Sequence, residues 1–223
     1  MAVKRVAPSG ILGFPVAPMN EQGHVDVQGF ERNIQFLLDG GLSAIFVGCG
    51  AGEFHALKHS EYRIMVESAI AVVNGQVPVY TGIGGNISHA LELAELSEEL
   101  GADGYLILPP YLIDAEQEGL YQYLSEVIGR TSLNAVVYQR DNCVLQPDVI
   151  QRLTQLPQLI GLKDGLGNME LNIEIVQTVG NRLAYMSGMP LAEATFAAYA
   201  HIGFESYSSA ISNYIPHISR LYY

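Results

Sequence analysis

Leu159-Ile160-Gly161-Leu162-Lys163-Asp164-Gly165 is apolar for four residues, charged for two and closed by glycine. An unbroken apolar run of this length suits a strand covered on both faces, as parallel strands are. Seven more runs share the pattern, at residues 11–16, 44–47, 77–81, 104–108, 134–138, 183–187 and 204–208. Eight strands are therefore expected.

Between them lie stretches with helical period. In residues 88–100, Ser88 can cap the N-terminus, Leu91, Ala94, Leu96 and Leu100 form an apolar stripe, and Gly101 ends the helix. Residues 27–38, 60–73, 117–128, 147–156, 169–179 and 190–202 read the same way, most of them closed by glycine. Successive strands start 21 to 33 residues apart, about one βα unit each, and no linker or low-complexity tract breaks the series. A single α/β domain over residues 1–223 follows, and eight alternating units favour a closed (β/α)8 TIM barrel over an open doubly wound sheet. The chain stops soon after the eighth strand, and its last stretch, residues 213–223, leaves room for only the start of an eighth helix.

The 223 residues are 49% hydrophobic, enough for a full core, and carry a formal charge of −12. That charge repels a phosphate backbone, so no nucleic-acid partner is expected. Any anionic ligand must be held by a few local groups. Cys49 and Cys143 lack disulfide or metal spacing, as in a reducing compartment. The N-terminal residues lack a signal-type apolar core, and no apolar stretch is long enough to span a membrane, so a soluble cytoplasmic protein is expected.

In a barrel of this kind the chemistry lies at the carboxyl ends of the strands. Lys163, one of three lysines, stands at such an end. Burial there favours a neutral amine able to attack a carbonyl carbon; the plain alternative is a stem that packs while its head reaches water or pairs with Asp164. Tyr138, one strand away, can pass the protons that imine formation needs, or simply fill the barrel rim. The turn Gly48-Cys49-Gly50-Ala51-Gly52-Glu53 can aim backbone N–H groups at an anion, or be a plain turn; its glycine spacing does not fit a dinucleotide fingerprint. Arg140 can hold a carboxylate or pair with Asp141, and Ser208 and Ser209 can donate to hydroxyls or carboxylates. His55 and His59 would share a helix face, but no third ligand completes a site, and no metal is expected.

Taken in order, Gly50-Ala51-Gly52-Glu53, Tyr138, Gly161-Leu162-Lys163-Asp164-Gly165 and residues 203–210 resemble the dihydrodipicolinate synthase and N-acetylneuraminate lyase superfamily. Within it, residues 137–142, 163–165 and 207–210 are similar to the 5-dehydro-4-deoxyglucarate dehydratases. The resemblance runs from about Gly10 to the last residue. It implies a (β/α)8 lyase in sugar-acid (glucarate) catabolism, with Lys163 forming the imine, Tyr138 shuttling protons and Gly50-Ala51 binding the adjacent carboxylate. Arg140, Gly188, Ser208 and Ser209 are the implied contacts for the rest of a small sugar-acid substrate. A sibling aldolase or a non-catalytic sugar-acid binder shares most of these features.

No metal or organic cofactor is implied, because the imine is the electron sink. Two residues depart from the pattern: Ala51 stands where a threonine is usual, and Asn168 where the dehydratases carry aspartate. Tyr111 follows Pro109-Pro110 where a relay tyrosine is often found, with altered spacing. Relatives continue through a full eighth helix and further C-terminal helices, which often help build a homo-oligomer. The expectation is therefore that the outer faces of strands one, seven and eight are bare here and the fold less stable.

Overall fold

The computed structural model describes residues 7–110 and 114–223. Its eight strands are β1 (Gly10–Gly13), β2 (Ala44–Val47), β3 (Val79–Ile83), β4 (Gly104–Ile107), β5 (Asn134–Gln139), β6 (Leu159–Asp164), β7 (Ala184–Ser187) and β8 (Ser206–Ser208). They close in sequence order into a barrel, every pair parallel, with β1 against β8. The helices alternate with them: α1 (Val27–Asp39), α2 (His59–Val73), α3 (Ile87–Leu100), α4 (Gln117–Gly129), α5 (Pro147–Leu153), α6 (Met169–Val179), α7 (Ala192–His201) and α8 (Pro216–Tyr222). The (β/α)8 expectation and the order of its units hold.

Differences from the sequence reading have local causes. β3 begins at Val79 rather than residue 77. Proline lacks the N–H that a ladder needs, so Pro78 keeps the strand from starting earlier. α3 is capped by Asn86, whose side chain accepts from the N–H of His89 at 3.0 Å, while Ser88 lies inside the first turn. Gly101 ends that helix in the left-handed conformation, with φ 86°. His55 lies in a 3-10 turn and His59 opens α2, so the two do not share a helix face.

The outer faces of β1, β7 and β8 are not bare. Ile11, Tyr185 and Tyr207 are buried, and Tyr207 donates to the main-chain oxygen of Ser219 on α8 at 2.5 Å. Phe196 of α7 stacks on Tyr223 at 5.5 Å. The exposed apolar residues lie one layer further out, with Leu221 at 78% and Tyr214 at 73% exposure. The seven residues of α8 thus already cover the barrel wall at the seam where β8 meets β1. Among the described residues, no helix is long and apolar enough to cross a membrane.

Candidate active site

Inside the barrel mouth, Phe14, Phe46 and Tyr80 stack in a row, with centroids 4.7 and 4.8 Å apart, and close the floor with aromatic rings. Above that floor stands Lys163. Alternation along β6 turns its side chain inward, and register pairs it with Tyr138 on β5 and Met186 on β7. Its Nζ lies 3.8 Å from the centroid of the Tyr138 ring and 4.8 Å from that of Phe14. Burial pushes the amine below lysine's ordinary value, and the charge of Arg140 adds to the fall; Tyr138 and Cys49 pull the other way. The outcome favours a neutral, nucleophilic nitrogen.

Asp164 offers that amine no salt bridge. Its carboxylate accepts from the hydroxyl of Tyr199 at 2.7 Å and from Nδ2 of Asn172 at 2.9 Å, on helices outside the barrel. The lysine–aspartate pair open to the sequence is thereby excluded. Arg140 bonds in two directions: Nη1 donates to the phenol oxygen of Tyr138 at 3.2 Å, and Nε meets Asp141 at 3.2 Å. The Asp141 contact is exposed and therefore weak. A guanidinium donating to the phenol leaves the phenol hydrogen free to point elsewhere.

Two glycines give the reacting groups room. A methyl group at Gly188 would lie 2.6 Å from Nζ of Lys163, and one at Gly165 would lie 2.8 Å from the phenol oxygen of Tyr138. In the turn after β2, Gly48 and Glu53 adopt left-handed backbones at φ 60° and 59°. The N–H groups of Glu53 and Phe54 are used by the carbonyls of Gly50 and Cys49, each at 3.2 Å. Among the described residues, the N–H groups of Ala51 and Gly52 have no acceptor within the chain. They remain available to an anion.

Lys163, Tyr138, Arg140, Gly50, Ala51, Gly188, Ser208 and Ser209 all line one cavity of about 150 Å³. The sequence reading did not single out Phe14, Leu106, Met189 or Asn213, which line it too. Phe14 follows β1, so the strand-end rule could have found it; Asn213 comes from the 3-10 turn after β8, and nothing in its local sequence marks it. The hydroxyl of Ser209 is occupied, donating to Glu193 at 2.8 Å and accepting from the N–H of Ile211 at 3.1 Å. Asn168 caps α6 by accepting from Leu171 N–H at 3.2 Å. Tyr111 lies outside the described residues. A larger groove of about 690 Å³ runs past Pro157, Arg182 and Glu205 near the starts of β6, β7 and β8, and contains none of these groups. Arg182 there is tied to the carbonyls of Leu159, Thr154 and Leu156.

The model of the dihydrodipicolinate synthetase family matches residues 7–223. The chain belongs to the dihydrodipicolinate synthetase family. Two relatives, from Bacillus licheniformis and Bacillus subtilis, each carry the name "Probable 5-dehydro-4-deoxyglucarate dehydratase". The first is 62% identical over all of this chain and 72% of its own length, the second 61% over 98% and 71%. Among solved structures of this family, a dihydrodipicolinate synthase of Aquifex aeolicus superposes with a TM-score of 0.89 at 26% identity, over 97% of this chain and 74% of its own. That of Oceanobacillus iheyensis gives 0.87 at 27%, over 94% and 70%. Membership in the dihydrodipicolinate synthetase family thus agrees with a barrel whose polar groups converge at the carboxyl ends of its strands.

Proposed function

We propose that this chain is a decarboxylating hydro-lyase that converts 5-dehydro-4-deoxy-D-glucarate into 2,5-dioxopentanoate, water and carbon dioxide through an imine on Lys163. The observation that carries the proposal is the buried amine beside the Tyr138 phenol, with no carboxylate partner among the described residues, in a cavity reached by Arg140 and the Ala51 turn. The names of the most similar relatives supply the substrate.

In the first step the neutral amine adds to the ketone carbon, and the oxygen leaves as water while Tyr138 passes the protons. The backbone N–H groups of the Gly50-Ala51 turn, which lines the cavity, are the proposed holders of the carboxylate beside that carbon. The iminium then acidifies the neighbouring methylene. Loss of its proton gives an enamine, which expels the β-hydroxyl as water and leaves a conjugated iminium.

The far carboxylate departs as carbon dioxide, and its bonding pair flows along the conjugated system to the imine nitrogen. Protonation and hydrolysis release the aldehyde product and restore the amine. One electron sink serves both cleavages, so the proposal requires neither metal nor organic cofactor. Arg140 and Ser208 are the proposed holders of the distal groups. A cytoplasmic role in sugar-acid breakdown belongs to the same proposal.

Borohydride added with 5-dehydro-4-deoxyglucarate, followed by peptide mass mapping, tests it. Expected are a reduced adduct on Lys163 and release of carbon dioxide during turnover. An adduct without carbon dioxide would transfer the chain to carbon–carbon lyase chemistry, and no adduct would end the imine proposal.

A further inference from the structure

The residue after each reactive group faces the opposite way. Alternation sends Tyr138 and Lys163 into the barrel, and sends Gln139 and Asp164, paired in register, out towards the helices. Both outward side chains are fully buried, and each ties down the loop that follows its strand. Oε1 of Gln139 accepts from the N–H of Leu145 at 3.0 Å. Asp164 accepts from the N–H groups of Leu166 and Gly167 at 3.1 and 3.2 Å, in addition to Tyr199 and Asn172.

A carboxylate taken from water is tolerated only when donors surround it. Asp164 has four donors, drawn from the β6 loop, α6 and α7. What they fix is decisive. The tethered loop carries Gly165, where a side chain of even one carbon would lie 2.8 Å from the phenol oxygen of Tyr138. The main-chain oxygen of Asp164 accepts from the N–H of Gly188 at 2.6 Å, a position where an added methyl group would crowd Nζ of Lys163. Gly165 is bonded through its own N–H to the carbonyl of Gln139 at 2.9 Å, and the side chain of Asp164 fixes the two residues that follow it.

We propose that Asp164 is a positioning residue, which holds the loop that carries Gly165 and so keeps the phenol of Tyr138 in register with the amine of Lys163 for proton transfer. The inference rests on the imine function proposed above. Tyr199 reaches Asp164 from α7 and does not line the cavity, so Tyr199→Phe removes one donor without touching the machinery.

Steady-state turnover of 5-dehydro-4-deoxyglucarate by wild type, Asp164→Asn, Tyr199→Phe, Tyr138→Phe and the Tyr138→Phe/Tyr199→Phe double variant tests it. Expected for Tyr199→Phe is a kcat reduced by up to about 100-fold with KM little changed, the size that misplacement of reacting groups by about 1 Å produces. Because the effect travels through the phenol, the double variant should be no slower than Tyr138→Phe alone. Wild-type kcat in Tyr199→Phe, or losses that multiply in the double variant, would overturn the proposal while leaving the imine function standing. Failure of the wild type to form a borohydride-trapped adduct would overturn both. Where Asp164→Asn does not fold, the Tyr199→Phe series still decides.

Discussion

Lys163 is held in the folded chain below lysine's ordinary value of 10.5, chiefly by burial. The folded state therefore takes up a proton at this nitrogen less readily than the unfolded chain does. Stability rises with pH between the folded and unfolded values: below the folded value the charged amine is a standing cost, and above 10.5 that cost is gone. Lys163→Met should abolish imine trapping yet raise the melting temperature near pH ~6, with a gain that shrinks as the pH rises and is lost only above lysine's ordinary value. A melting series in which the gain grows with pH would contradict the burial account. Tyr138→Phe keeps the ring that packs on the amine and removes only the proton carrier. Its kcat should fall by about 10²–10⁴-fold with folding intact, as seen by circular dichroism. The thiols of Cys49 and Cys143 are both pushed up to about 12 by burial, and a thiol rather than a thiolate is a poor nucleophile. Neither should be alkylated by iodoacetamide at neutral pH until the chain is unfolded.

Elements were legible where one local signal governed them, and shifted where two competed. The strand runs could be read because burial on both faces leaves little room for polar residues, and β2 falls on residues 44–47 as expected. The start of α3 could not, because Asn86 and Ser88 are both good caps, and Gly84 and Gly85, at φ 155° and 84°, decide where the chain can turn. Asn86→Ala should therefore cost about 1 kcal/mol, while Ser88→Ala should leave the denaturation midpoint almost unchanged. The reverse ranking in a urea titration would move the cap back to Ser88. Lys163 and Tyr138 could be read for the same reason as the strands: each is a polar residue at the end of an apolar run. The Arg140 bond to the Tyr138 phenol and the grip of Asp164 on Tyr199 could not. The first depends on where a loop side chain folds back, and the second joins residues 35 positions apart.

At the scale of the whole barrel, the ladders around the first and last strands are short, and β1 meets β2 in only two register pairs. β8 has only three residues, its register with β7 covers two pairs, and its register with β1 covers three. Closure therefore leans on contacts outside the sheet. The amide of Asn213 donates to the carbonyl of Phe14 at 3.0 Å, joining the two ends of the barrel across 199 positions. From the outer face of β8, Tyr207 buries its ring against Phe196 and gives its hydroxyl to Ser219 on α8. Tyr207→Phe keeps the ring and leaves the carbonyl of Ser219 without that donor. A buried acceptor stripped of its partner costs about 1–3 kcal/mol. In a chain of this size that lowers the melting temperature by about 2–10 °C. Because Tyr207 faces away from the cavity, kcat below the melting range should stay at the wild-type value. A Tyr207→Phe variant that melts with the wild type would show that the three-residue strand closes the barrel without help from α8.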